Sequence, residues 1–407
     1  MSEPRREAHP AAPWIRRRGW LGGIAALLVL TGAMAGVAQQ TDSTYTARGF
    51  DPRLQQGIDL IYNLRFDEAD QHFRQVIQTD PGNPVGYFFR AMTGWWRVLV
   101  DLDSRSHDQA FYDLLEECIQ VCDRRLEQDP MDFDAILFKG GAVGFRGRLR
   151  GDRGQYLGAA SDGLTSLPLL EKSRELEPTN KDILFGQGIY NYFAEVFPGK
   201  YPVVKPVMVL LPSGNRQQGL QQLRQVAAEG RYARAEAAYF LAQIYRVFEE
   251  DKTPALQYLA YLHDRYPDNA VFHRNRARTL VDLGRWSEAV PLFEEYVRRS
   301  LAGQTGYHLS GRLEALYYLG KNAFRKRRLD EAATAFARLD SLDSRIDRAG
   351  DRGYLSLANL FLGMTHDLQG HRDLAVTRYR RVRNLPDQGG SRELAEEYLE
   401  KPYSDLR

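Results

Sequence analysis

Basic and aromatic side chains recur at helical spacing in two segments of the carboxyl-terminal half of the chain. Spacings of three and four residues place such side chains on related faces of a helix. Two of these faces side by side would form a basic groove with aromatic walls, which suits a carboxylate such as a peptide terminus or an acidic segment. The alternative is solvated charge on exposed helices, the commoner role of such runs. The candidate binding residues are Arg274, Asn275, Arg278, Tyr317, Lys321 and Arg325.

A second group of polar residues lies among small residues in the middle of the chain. If their side chains converge on a pocket in residues 138–216, this region would bind a small molecule or act as an enzyme. The alternative is a buried hydrogen-bonded network that fixes irregular helix pairs in place. The residues of this group are Arg146, Arg148, Asp162, Tyr190 and Asn191.

Established catalytic and metal-binding motifs are missing from the sequence. The eight histidines form neither HExxH nor a Cys/His cluster with zinc spacing, and GxSxG does not occur. Gly140, Gly141 and Gly144 resemble a phosphate loop, but no GK[ST] follows them, so they favour close helix packing. Cys118 and Cys122 are four residues apart, which predicts two small buried side chains on one helix face. We therefore expect a protein that is not an enzyme and uses no metal or cofactor.

A recurring pattern of small and aromatic residues predicts paired helices from about residue 50 onward. The clearest unit spans residues 53–81 and contains Gly57, Leu60, Ala69, Phe73 and Pro81. In a tetratricopeptide-repeat (TPR) helix pair, small residues let two helices approach closely, an aromatic side chain fills the gap, and proline ends the second helix. Residues 53–81 match this pattern.

The same pattern returns in the carboxyl-terminal half. Ala255 and Ala289 are 34 residues apart, which equals the TPR period. The next two intervals are each 43 residues, which predicts about nine extra residues in loops near 301–310 and 343–352. The small and aromatic or aliphatic partners are Ala255 with Leu259, Ala289 with Phe293, Ala332 with Phe336, and Ala375 with Tyr379.

Residues 84–230 show the same alternation of paired helices, but they match the TPR pattern of small and aromatic residues less well. The pattern predicts helices over 84–102, 107–128, 132–149, 154–176, 182–196 and 215–228. Pro198, Pro202 and Pro206 predict that the fifth of these helices stops at Val196 and that an extended or kinked insertion follows. Residues 391–400 predict a final helix that caps the stack.

The amino terminus has the order of a secretory signal peptide. Arginines precede an uncharged run over residues 19–40, which ends in small residues including Gly36 and Ala38. We predict cleavage after Ala38 and export, to the periplasm or another part of the cell envelope. The alternative is an uncleaved anchor, because the run is about long enough to span a thin bilayer.

The charge balance argues against a general nucleic-acid binder. The chain carries a formal charge of +2, and residues 1–38 contain five arginines and two glutamates, so residues 39–407 carry −1. Proteins that bind nucleic acid without sequence preference are usually strongly basic. A membrane contact would be expected only through an uncleaved amino-terminal segment.

Four stretches resemble a particular group of TPR proteins. They read FKGGAVGFRGR at 138–148, GAASDG at 158–163, GQGIYNY at 186–192 and LLPSGNRQQGL at 210–220. They are similar to exported bacterial TPR proteins and, more distantly, to the eukaryotic inclusion-body-clearance family. The resemblance implies an interaction or scaffold role and brings no catalytic residues.

Together these patterns predict an all-α, TPR-like right-handed superhelical solenoid of about eight helix pairs plus a capping helix. We expect a signal peptide or anchor (1–38), a short linker (39–50), an amino-terminal array (51–230) with a proline-rich insertion (197–213), and a carboxyl-terminal array (231–407). The expected function is a protein-interaction module or scaffold that binds a protein segment in a concave groove. The alternatives are a small-molecule binder or enzyme in 138–216, and a membrane-anchored assembly scaffold.

Overall fold

A computed structural model describes residues 51–200, 213–249, 251–346, 348 and 351–404. The predicted signal peptide and linker, and most of the proline-rich insertion, lie outside these residues. In the described part of the chain, no helix is long and apolar enough to cross a membrane. The same part contains no strand and folds into 17 helices: α1 (Pro52–Tyr62), α2 (Phe66–Thr79), α3 (Pro84–Val100), α4 (Asp108–Gln128), α5 (Phe133–Asp152), α6 (Tyr156–Leu176), α7 (Leu184–Lys200), α8 (Arg216–Glu229), α9 (Arg234–Val247), α10 (Thr253–Arg265), α11 (Ala270–Asp282), α12 (Trp286–Leu301), α13 (Leu309–Arg325), α14 (Leu329–Asp340), α15 (Arg352–Leu368), α16 (Arg372–Arg383) and α17 (Ser391–Glu400).

The helices follow one another as helix pairs with short turns. Helix α17 packs against α15 and α16 and caps the last pair. First helices of neighbouring pairs also touch, as α1 touches α3, α3 touches α5 and α13 touches α15. The predicted all-α, TPR-like arrangement with eight helix pairs and a capping helix is confirmed.

Glycine in the first helix and an aromatic ring in the second make the closest contact within several pairs. A Cβ atom added at Gly320 would lie only 2.6 Å from Cε1 of Phe336, so a side chain at this position would collide with the ring. The glycine backbone and the aromatic ring shield each other from water, so the close approach of the two helices also buries apolar surface. The same contact joins Gly57 to Phe73 and Gly363 to Tyr379.

The predicted helix boundaries in 84–230 and the final helix agree with the structure to within a few residues, with one correction. Helix α7 continues through Pro198 to Lys200, whereas the sequence predicted an end at Val196. Pro198 has no N–H, so α7 lacks one backbone hydrogen bond there, and α6 and α12 likewise continue through Pro168 and Pro291. The extra loop residues occur as predicted, between α12 and α13 and between α14 and α15, where Asp343–Arg345 forms a 3₁₀ turn.

The described residues form two compact units, 51–272 and 273–404, and the division falls within α11. The repeat-based division at residue 230 stays a prediction. In the unit 51–272, α9 is buried on every side. Its sequence is apolar around most of its circumference, as expected for an enclosed helix.

First helices of the four preceding pairs all contact α9. Tyr62 of α1 donates a hydrogen bond to Glu236 at 3.1 Å, and the Trp96 ring of α3 lies 5.6 Å from that of Tyr239. The guanidinium of Arg148 in α5 lies 4.3 Å from the centre of the Phe240 ring. Phe185 of α7 contacts the same ring edge-on at 5.4 Å. In this unit, the face that first helices share is therefore occupied by a helix of the chain itself.

The unit 273–404 has an aromatic core between α13, α14 and α15. The rings of Phe336 and Phe361 stack with centres 5.6 Å apart, and Tyr317 lies 6.0 Å from Phe361. Beyond α17, the backbone N–H of Tyr403 donates to Asp367 at 2.9 Å. The Tyr403 ring also lies 6.0 Å from Phe324, so the chain end is fastened to α13 and α15.

Replacing Gly320 with leucine is expected to lower the melting temperature. The new side chain would meet the Phe336 ring, and overpacking of this kind costs about 1–3 kcal/mol. Thermal unfolding followed by circular dichroism measures the change. Thr334→Leu, on the exposed face of α14, is the control and should leave the midpoint nearly unchanged. Equal midpoints for Gly320→Leu and the control would contradict the close contact.

Candidate functional site

Helices α11 and α13 carry the six predicted binding residues and are the first helices of neighbouring pairs. The side chain of Asn269 caps the amino terminus of α11: its Oδ1 accepts from the N–H groups of Val271 and Phe272 at 3.0 and 3.2 Å. Helix α11 ends at a turn in which Gly284 has a φ of +74°. This left-handed residue lets the N–H of Arg285 bond the carbonyl of Leu280 at 2.8 Å, which closes the helix end.

A buried carboxylate, Glu314, joins α13 to α11. The Nε of Arg274 donates to Oε2 of Glu314 at 2.6 Å, and the Nε of Arg278 lies 2.7 Å from Oε1. The side chain of Glu314 is fully buried and that of Arg278 is 6% exposed, whereas that of Arg274 is 33% exposed. Two of the predicted groove cations are therefore already engaged by a carboxylate of the chain.

The electrostatics of this cluster keep its two arginines charged and a neighbouring tyrosine neutral. Burial acts to lower the pKa of Arg274 and of Arg278, but the carboxylate of Glu314 together with nearby tyrosine hydroxyls raises the pKa of both. Burial and the same carboxylate raise the pKa of Tyr354 well above its ordinary value. Both arginines thus remain charged, and the nearby phenol remains neutral.

The other four candidates divide between the core and the surface. Tyr317 is buried among aromatic rings, and Asn275 is half-buried on α11. The Nζ of Lys321 lies 5.8 Å from the centre of the Phe361 ring, on the side of α13 that faces α15. Arg325 lies instead on the α12 side, with its guanidinium 4.5 Å from the centre of the Trp286 ring. The six residues therefore do not form one surface, and their role in binding stays a prediction.

Glu314 is the functional candidate that sequence reasoning missed. It lies one helical turn before Tyr317, on the helix that follows the two arginines by one repeat. An acidic residue at that register is the signal that would have identified it. Its partners are distant in sequence, however, and only the packing of α13 on α11 shows which cations it meets.

In the second predicted group, only Arg146 and Asp162 come together. Asp162, whose side chain is 3% exposed, accepts from Nη2 of Arg146 at 2.8 Å and from Nη1 of Arg150 at 2.7 Å. This carboxylate lies between α5 and α6 and has a charged donor on each oxygen. A buried carboxylate with both oxygens paired fits the alternative prediction of a buried hydrogen-bonded network.

The remaining members lie elsewhere. Arg148 stacks between Trp95 and Phe240, 4.6 and 4.3 Å from their ring centres. Asn191 donates to Gln222 of α8 at 2.8 Å. Tyr190 is buried, and this burial raises its pKa to about 12. The group thus serves three separate contacts.

The cysteines, the possible metal ligands and the cavities bear on the remaining predictions for the described part of the chain. Cys118 and Cys122 are fully buried in α4, as predicted. The described residues contain no cluster of three or more side chains suited to a metal ion. An open cavity of ≈ 420 Å³ lies beside α1, outside residues 138–216. Its lining residues are Pro52, Gln55, Gln56, Asp59, Leu60, Asn63 and Arg65.

Comparison with protein families supports the repeat assignment. Residues 249–303 and 274–345 match the model of a family described as tetratricopeptide repeat. The matched segments include α11 to α14 and therefore the Glu314 cluster. No curated protein matches the chain.

Solved TPR-type structures show weak similarity. Human IFIT1, solved as a dimer with PPP-AAAA, has 14% sequence identity and a TM-score of 0.43, with 79% of this chain and 69% of that chain covered. The carboxyl-terminal part of a TPR repeat-containing protein from Cytophaga hutchinsonii has 17% identity and a TM-score of 0.37, with 72% and 96% covered. Yeast Tom70 has 11% identity and a TM-score of 0.26, with 86% and 94% covered.

Removing the carboxylate of Glu314 is expected to destabilise the protein strongly. Glu314→Ala would leave Arg278 buried without its anion, and breaking a buried pair in this way costs about 3–5 kcal/mol. The measurement is the free energy of unfolding in urea. Glu288→Ala is the matched control, because its pair with Arg285 is exposed and its loss should change the free energy of unfolding little. Similar losses in both variants would contradict the central place of Glu314.

Proposed function

We propose that the protein is a non-catalytic interaction module or scaffold of the cell envelope, which binds a protein segment along the first helices of the unit 273–404. TPR-type folds generally mediate protein–protein interaction. Their first helices present a preformed surface, so a partner bears most of the ordering cost. We further propose that the chain is exported by its amino-terminal segment and does not bind nucleic acid.

The observation that carries this proposal is the Glu314 cluster. Its two ion pairs fix α11 against α13 by contacts at 2.6 and 2.7 Å. Lys321 lies two turns beyond Glu314 on the same helix, so the cluster holds in place the helix that carries it. A binding surface built on regular helices with locked side chains is preorganised for a ligand.

The chemistry of the partner follows from Lys321 and its surroundings. An ammonium group beside an aromatic ring suits a carboxylate, from a peptide terminus or an acidic side chain. Arg274, one third exposed and held by Glu314, adds positive charge on the neighbouring helix. We therefore propose Lys321 as the central contact and Arg274 as a second one.

The small-molecule or enzyme alternative receives no support from its own residues. It required Arg146, Asp162 and Asn191 to converge on one pocket, yet Asp162 is saturated by two arginines and Asn191 bonds Gln222. The membrane-anchored scaffold remains a proposal about residues 19–40, and the mass of the exported protein separates retention from cleavage.

Charge reversal at Lys321 is expected to weaken peptide binding without unfolding the protein. The probe is a panel of peptides with acidic last residues and a free terminal carboxylate, compared with the same peptides amidated. Loss of a charge-assisted contact predicts that Lys321→Glu binds the carboxylate forms at least about tenfold more weakly. Isothermal titration calorimetry gives the affinities, and circular dichroism checks the fold.

Lys401→Glu, an exposed charge reversal in the same unit, is the control and should bind as the wild type does. Photo-crosslinking from position 321 in the native envelope, compared with position 334 on α14, then identifies the natural partner. We call the proposed site at Lys321 and Arg274 the inner-face site. If Lys321→Glu and wild type bind every peptide equally, this proposed site is wrong.

A further inference from the structure

Three turns between paired helices lie together at one edge of the unit 273–404. The guanidinium of Arg325, at the end of α13, lies over Trp286, the first residue of α12. The amide of Gln369, after α15, donates to Asp330 of α14 at 2.8 Å. These two contacts connect successive turns. We call residues 284–286, 325–330 and 369–374 the turn edge.

The middle turn contains four cations in succession, and all four are exposed: Arg325, Lys326, Arg327 and Arg328. Two carboxylates follow: Asp330, which accepts from Gln369, and Glu331, which pairs with Arg328 at 2.9 Å. Four cations against two carboxylates leave this turn with a net positive charge.

Arg327 has a backbone conformation that favours glycine. Its φ is +59°, whereas Gly284 and Gly370, at the equivalent positions of the flanking pairs, have φ values of +74° and +78°. Leu64 of the first pair also adopts a positive φ, but its side chain is buried, which explains its retention there. Arg327 is exposed, so the strained position carries a charged side chain at the surface.

Aromatic rings hold two of these cations in place. The guanidinium groups of Arg325 and Arg327 lie 4.5 and 5.7 Å from the ring centres of Trp286 and Phe324. The N–H groups of a guanidinium lie at the edge of its plane, a geometry that suits phosphate oxygens. On the same edge, the side chain of Leu374 is 51% exposed.

We propose that the turn edge docks on an anionic phospholipid surface. Four exposed cations spread around a tight turn suit a flat layer of phosphate groups better than a single peptide carboxylate. An exposed leucine and a half-buried tryptophan among the cations match the composition of membrane-contacting surfaces. This contact is separate from the inner-face site at Lys321 and from the amino-terminal segment, so either can fail without the other.

Protection of the edge arginines tests the contact directly. The full chain is treated with phenylglyoxal, which modifies exposed arginines, in the presence of vesicles of phosphatidylglycerol with phosphatidylcholine or of phosphatidylcholine alone. We expect modification of Arg325, Arg327 and Arg328 to fall at least about threefold with the anionic vesicles only, and to recover at high salt. Mass spectrometry reads each site.

Exposed arginines elsewhere serve as internal references, and their modification should not change: Arg105, Arg124 and Arg174. Equal modification of the edge arginines with and without anionic vesicles overturns the proposal. So does protection by polyglutamate but not by vesicles, which would assign the edge to an acidic protein.

Neutralising the turn is expected to weaken partitioning onto the anionic vesicles at least about tenfold, because each cation near such a surface contributes to attraction. The variant is R325Q/K326Q/R328Q in the full chain, measured by vesicle sedimentation. The control R105Q/R124Q/R174Q removes the same charge elsewhere, and the amino-terminal segment contributes equally to both. Equal partitioning of the two variants overturns the proposal.

Replacing Arg327 with glycine separates strain from binding. R327G should raise the melting temperature by roughly a few degrees, because glycine adopts the left-handed conformation without strain, while it weakens vesicle binding. R327K keeps the charge and should retain both the wild-type midpoint and the binding. A lower midpoint for R327G, with vesicle binding unchanged, would show that Arg327 serves packing alone and would overturn its assignment.

Discussion

Close approach between the two helices of each pair governs the rest of this structure. Where the first helix has glycine, as at Gly57, Gly320 and Gly363, the aromatic ring of the second helix packs directly against its backbone. The contact fixes the spacing within a pair, and the pairs then stack with each second helix against the next first helix and with first helices touching one another. Because a packed interior tolerates little change in volume, this spacing propagates to every side chain that the first helices carry.

Each unit also buries a carboxylate where first helices meet, but the donors differ. Glu236 accepts from the phenol of Tyr62 and the indole of Trp96, at 3.1 and 3.3 Å, and burial raises its pKa. Glu314 is held by two arginines instead. A buried charge needs compensating partners, and both arrangements tie together helices that are distant in sequence. Each carboxylate thus links helices from different pairs within its unit.

The two units offer different surfaces to a partner. In the unit 51–272, α9 covers the shared face of the first helices, so the proposed inner-face site lies in the unit 273–404. Helix α13 contributes residues to both proposed sites. Lys321 faces α15 on its side, whereas Arg325 and the three residues after it form the turn at its end. The two proposed contacts use different residues, so the proposals allow a protein segment and a lipid surface to be bound at once.

The sequence by itself determined the helices, since apolar periodicity, small residues and turn residues are local signals. It predicted the pairs from α3 to α6, the loops before α13 and α15, and the final helix α17 to within a few residues. The prediction at Pro198 was wrong because a helix can continue through a proline at the cost of one backbone hydrogen bond, as α6 and α12 also do at Pro168 and Pro291. The polar contacts were decided by tertiary structure alone. Nothing local shows that Arg274 and Arg278 meet Glu314, or that Arg148 stacks between Trp95 and Phe240. Charges on helices find their partners only when packing brings distant segments within a few ångströms, and electrostatic energy depends on that distance and on burial.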